Sequence, residues 1–126
     1  MARLGKTHVI ILIMKIVKVA EVNKIPASRS TTIFEYLMKD KNLSGAVAEI
    51  HGRYPEKGFA QNKLCKELVF VISGEGEIIT EKGKLSFDIG DTILIDRNEK
   101  YYWLGNFSIF MATAPAFSAG QHKIIK

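Results

Sequence analysis

The chain has 126 residues, 47% hydrophobic and 25% charged, a composition that excludes a disordered polymer and suits one folded domain. Its formal net charge is +5, but the lysines are spread singly among 13 acidic residues, and without a basic stripe interleaved with aromatics no nucleic-acid partner is expected. Cys65 is the single cysteine, which excludes an internal disulfide and points to a reducing cytoplasm.

At the N-terminus, Val9-Ile10-Ile11-Leu12-Ile13-Met14 forms an apolar run behind Arg3 and Lys6. A bilayer span needs about 20 apolar residues, so no membrane role is expected. Lys15 and Lys18 follow the run where a signal peptide would carry small residues. Met14-Lys15-Ile16-Val17-Lys18 reads as a protein start in its own right. Residues 1–13 are therefore treated as an N-terminal extension, either disordered or supplying an edge strand or dimer contact, and residues 14–126 as a single domain.

Residues 30–38 are rich in β-branched and aromatic types, and 44–53 alternate around Ala46, Ala48 and Ile50. Both predict strands, with breaks at Pro26 and Asn42. Tyr54-Pro55-Glu56-Lys57-Gly58 has turn composition, and the chain then runs through Phe59–Lys66 into a strand at Glu67–Ile72. Ser73-Gly74-Glu75-Gly76 predicts a reversal, and Lys82-Gly83 a tight hairpin between Glu77–Glu81 and Lys84–Ile89. Further strands are expected at Thr92–Asp96, Lys100–Leu104 and Phe107–Ala114, while 116–126 is either a tail or a strand returning to the sheet. Many short strands with no long helical period predict an all-β domain, a closed antiparallel β-barrel or jelly roll.

Glu67 and Gly74, followed by Gly90-Asp91 and the Tyr101-Tyr102-Trp103 strand, resemble the paired motifs of the cupin family. That resemblance covers about residues 45–115 and implies the double-stranded β-helix of a cupin-like barrel. It also implies where a metal would be held: two histidines one residue apart, the glutamate, and a third histidine in the second motif. Here Glu67 and Gly74 fill the glutamate and glycine slots, but the histidine slots hold Gln61, Lys63 and Tyr101. Asp96 stands in the proline slot, Gly105 with Asn106 in the asparagine slot, and Asn98 in a turn glycine's slot, where it tolerates positive φ. No metal or other cofactor is expected from this set, because a lysine ammonium would repel a divalent ion.

Residues two apart on a strand share a face, so Gln61, Lys63, Cys65 and Glu67 form one candidate inward row. Lys63 either pairs with Glu67 inside the barrel or sits on a turn facing solvent. The candidate ligand-binding residues are Gln61, Lys63, Glu67, Tyr101 and Trp103, with Glu67 and Tyr101 as candidate acid/base catalysts and Lys63 steadying developing charge. Tyr101 and Trp103 serve either as a stacking surface or as core. Cys65 reads as a buried thiol or a nucleophile, and His51 as a structural residue or a replacement ligand. His8 and His122 have no partner by spacing and suggest no site.

Three functions remain open: a binder of a small polar molecule, carbohydrate or carboxylate, without a tightly held metal; a metal-independent sugar isomerase or epimerase; or a structural or regulatory dimer whose pocket is filled by its own side chains. A homodimer is expected, because cupin-like barrels pair through edge strands.

Overall fold

The computed structural model describes residues 14–126. The apolar run and the rest of the expected extension at 1–13 lie outside the described residues, apart from Met14. Nine antiparallel strands among the described residues form one curled sheet: β1 Asn23–Pro26, β2 Thr31–Tyr36, β3 Ser44–Tyr54, β4 Phe59–Asn62, β5 Lys66–Thr80, β6 Gly83–Phe87, β7 Thr92–Ile95, β8 Lys100–Ala114 and β9 His122–Ile125. Among the described residues two short 3-10 turns, Val19–Glu21 and Ala119–Gln121, accompany the β structure. The all-β jelly-roll expectation holds.

β8 organises the sheet. It pairs along its length with both β3 and β5, and its start also pairs with β4. Alternation then decides what faces inward: Tyr101, Trp103, Phe107 and Ile109 of β8 are buried, as are Glu67, Val69 and Val71 of β5 and Ala48 and Ile50 of β3. Phe87, Trp103 and Phe107 pack edge to face or tilted, with centroids 4.9 to 5.6 Å apart. Each large aliphatic residue buried here contributes roughly 1.5–3 kcal/mol of transfer free energy.

Several boundaries differ from expectation for one reason: glycine predicts a chain reversal, yet in this fold it also lies inside long strands. The Ser73–Gly76 segment does not turn; β5 continues through it, with a bulge between Val71 and Ser73. Gly74 has φ +79°, and any Cβ there would collide with the backbone of Asn106 on β8. Likewise Gly105, at φ +143°, lies within β8, so the two strands expected at 100–104 and 107–114 are one. Both glycines serve close strand approach. The hairpin after β5 turns at Glu81-Lys82, one residue earlier than expected, because Thr80 pairs with Gly83. Residues 23–26 form an edge strand ending at Pro26, and the ambiguous C-terminus returns as β9 beside β4. Asn98 does adopt positive φ, at +66°.

Candidate functional site

Inside the curled sheet lies a cavity of about 530 Å³, within the usual range for small-molecule sites. Ile33, Ala48, Ile50, Ile109 and Met111 make its walls predominantly apolar, while Glu67, Tyr101, Tyr54 and His122 provide polar groups.

Three of the expected ligand-binding residues, Glu67, Tyr101 and Trp103, line this cavity together. Trp103 does so while packed in the core, only 2% exposed. The other two do not line it. β4 ends at Asn62 and the chain bends at Lys63-Leu64 before β5 begins, so the alternation assumed from 61 to 67 is broken. Asn62 consequently faces the interior, and Lys63 is exposed on the bend. Of the two readings of Lys63, the turn facing solvent is the one observed, and the internal pair with Glu67 is not: the partner of Glu67 is Asn62, whose Nδ2 donates to Glu67 Oε1 at 3.3 Å. Gln61 is buried beneath the turn after β7, its Nε2 donating to the carbonyl of Asn98 at 2.8 Å.

Asn62 is the hub of a buried chain of hydrogen bonds. Its Oδ1 accepts from Gln121 Nε2 at 3.0 Å and from His122 Nδ1 at 2.9 Å. Because an amide oxygen only accepts, His122 must carry its proton on Nδ1. Its Nε2 is then free to accept from the Tyr54 hydroxyl, 3.0 Å away, and the two rings stack with centroids 6.2 Å apart. Gln121 closes the arrangement from the other side, its Oε1 accepting the backbone N–H of Leu64 at 3.0 Å and of Cys65 at 3.4 Å. That brace fixes the bend that turns Lys63 outward.

His122, without a partner by spacing, has two in the fold. It reaches the site because β9 pairs with β4 in a register that sets His122 opposite Asn62, a contact between positions sixty apart that no local pattern in the sequence encodes. Asn62 and Tyr54 escape sequence reasoning on the same ground. His51 points the other way: it is exposed on the outer face, with Nδ1 3.3 Å from Asn106 Oδ1.

Electrostatically, the cavity is set by burial. Glu67 is 5% exposed, its Oε2 is buried with no partner, and desolvation pushes its carboxyl up to about 7 against the pull of the Asn62 hydrogen bond. Burial raises Tyr101 well above the usual phenol range, and the nearby Glu67, Tyr54 and Cys65 add to it. Tyr54 is also raised, by burial and then by Glu67, whereas burial lowers His122 and keeps it neutral. Cys65 is fully buried, and burial lifts its thiol, the opposite of what a nucleophile needs.

The donor set does not suit a divalent metal. No three histidine, cysteine or acidic side chains gather anywhere among the described residues, and both nitrogens of His122 are already engaged by Asn62 and Tyr54. What the arrangement can do is orient a bound molecule against a carboxyl group that titrates near neutrality.

No protein-family model and no curated protein matches the chain. Solved structures do match. A histidine-to-glutamine variant of Streptomyces PAC13 with uridine superposes with a TM-score of 0.80 at 15% identity, covering 90% of this chain and 92% of that one; Pac13 is described as a nucleoside dehydratase. Ectoine synthase from P. lautus gives 0.70 at 18% identity over 90% and 91% of the two chains. An RmlC-like cupin from Shewanella frigidimarina gives 0.64 at 10% identity over 77% and 86%. In fold, this chain is a cupin-type barrel, and its structural neighbours include proteins that bind or transform small molecules.

Proposed function

We propose that the chain binds a small organic molecule in the barrel cavity without a tightly held metal. One observation carries this reading: a cavity with largely apolar walls contains a buried carboxyl oxygen that the protein leaves unpaired. An orphaned buried polar atom costs about 1–3 kcal/mol, which a ligand hydrogen bond would recover. Glu67 and Tyr101 would meet the ligand's polar end, with Trp103 on the wall beside them. The uridine bound by PAC13 makes a nucleoside the first probe to try, beside sugars and carboxylates. A thermal shift that appears with one of these and disappears in Glu67→Gln is the expected result. Near-stoichiometric iron, manganese, nickel or zinc in protein purified without a histidine tag would overturn the metal-free part.

A second reading, a metal-independent isomerase or epimerase, is favoured by Glu67 titrating at about 7, where one carboxyl can both take and return a proton. Ionised Glu67 would remove a proton from carbon beside a carbonyl, the electron pair moving onto oxygen held by the Tyr101 hydroxyl. The same carboxyl would then return that proton to the neighbouring carbon while the hydroxyl proton of the one oxygen passes to the other by way of Tyr101, an exchange of carbonyl and hydroxyl positions with no net redox change. Turnover lost in Tyr101→Phe and Glu67→Gln, with folding intact, is the outcome this reading requires.

A homodimer is part of the proposal. Its support is an outer face on which Leu68 pairs with Leu94 and Phe70 with Phe110, all four at least 39% exposed. A cytoplasmic location rests on Cys65 being the single cysteine, buried and without a disulfide partner. No helix among the described residues is long and apolar enough to cross a membrane.

A further inference from the structure

On the premise of the small-molecule binding proposed above, the polar groups around the cavity narrow the class of ligand. The charged side chains lining the cavity are Glu67, deep among buried residues, and Glu35, Lys39 and Asp40, which lie on exposed or half-buried stretches of chain. No lysine or arginine accompanies Glu67, and His122 spends its Nδ1 proton on Asn62 and offers Nε2 to Tyr54. Lys63, the residue that would have received an anion, is exposed on the bend. An anionic ligand would therefore enter mainly apolar walls, lose its hydration and meet a carboxyl group. Lys39 does not offset this, since Asp40 follows it in the chain and Glu35 also lines the cavity. A cation would pair with Glu67, but both ions would have to be held away from water, and the desolvation of two charges commonly exceeds their attraction. A neutral molecule with one O–H or N–H avoids both costs and satisfies the orphaned Oε2.

We infer that the cavity selects a neutral, largely apolar molecule that presents a hydroxyl or amide N–H to Glu67 Oε2, and that it rejects carboxylates and phosphates of the same shape. Glu67 is the specificity-determining residue, and Lys63 has no part in the choice.

Three matched probes test this at pH 7 by calorimetric titration: 2-naphthylmethanol, 2-naphthoate and 2-naphthylmethylammonium. The alcohol should bind about tenfold or more tightly than the carboxylate, since each 1.4 kcal/mol of unrecovered desolvation is a factor of ten, and more tightly than the ammonium. In Glu67→Gln the preference over the carboxylate should shrink to within about threefold, while Lys63→Ala should leave it unchanged. The wild-type protein provides a second, independent measurement: the 13C resonance of the Glu67 side-chain carboxyl should move as the alcohol saturates. Carboxylate or ammonium binding as tightly as the alcohol, or a Glu67 resonance that stays still, overturns the neutral-ligand inference and leaves small-molecule binding standing. If none of the three binds, and neither do nucleosides or sugars, the binding proposal falls with it.

Discussion

Glu67 sets the pH behaviour of the cavity. Its carboxyl is lifted from 4.5 to about 7 by burial, so the folded state holds that proton more tightly than the unfolded chain does. Its contribution to stability is therefore complete below pH 4.5 and is lost as the pH rises through 7. At about 1.4 kcal/mol per unit, the loss is about 3 kcal/mol. Glu67→Gln keeps the shape and the acceptor for Asn62 but removes the charge. In urea unfolding it should match the wild type near pH 4.5 and be more stable by about 3 kcal/mol at pH 8. Equal stabilities at pH 8 would show that Glu67 is solvated or paired. His122 acts in the opposite direction: burial lowers it from 6.5, so its contribution is present above that value and is lost as the pH falls through its folded value. With Glu67 neutralised, that limb should appear alone, as stability rising with pH up to about 6.5.

Between elements, the decisive contact is the docking of β9 on β4, because it brings His122 and Gln121 to Asn62. Replacing Asn62 with alanine would leave Glu67 Oε1, Gln121 Nε2 and His122 Nδ1 without their shared partner. At about 1–3 kcal/mol for a buried group left unpaired, partly relieved by water entering the space, a net loss of about 3 kcal/mol is expected. Denaturant midpoints would measure it, and a loss under about 1 kcal/mol would mean that the chain of hydrogen bonds is not a structural unit. The crossing of β3, β8 and β5 depends on glycine in a different way. Gly105 pairs with Gly52 on one side and Gly76 on the other, and a Cβ on it would stand 2.6 Å from the Glu75 carbonyl oxygen. Since its φ of +143° is also one that L-residues avoid, Gly105→Ala should cost about 3 kcal/mol or prevent folding.

For the molecule as a whole, the outer face is as informative as the cavity. Alternation that turns Val69, Val71 and Ile109 inward necessarily turns Leu68, Phe70 and Phe110 outward. This apolar face is the one on which the proposed homodimer would pair. Phe70→Lys together with Phe110→Lys should halve the mass measured by sedimentation while leaving the far-ultraviolet circular dichroism unchanged. A dimer that survives both changes would place the interface elsewhere, and deletion of residues 1–13 would then test the extension.

What the sequence alone determined was the class of fold and the part of the cavity wall that lies on β5 and β8. Strand alternation and the Glu67-to-Gly74 spacing are local properties, so the barrel, the inward Glu67 and the Tyr101-Trp103 pair could be read without coordinates. Glycines were ambiguous, since the same residue serves a turn and a close crossing, and only the neighbouring strand distinguishes them. The rest of the site belonged to the tertiary structure. A bend of two residues at Lys63-Leu64, held by Gln121, decided between the two readings of Lys63 by turning it to solvent and setting Asn62 inside, and the returning β9 supplied a histidine from the far end of the chain. Such choices are made by hydrogen bonds between distant segments, and they decide whether the cavity contains a buried cation or, as here, a carboxyl group with one oxygen still unpaired.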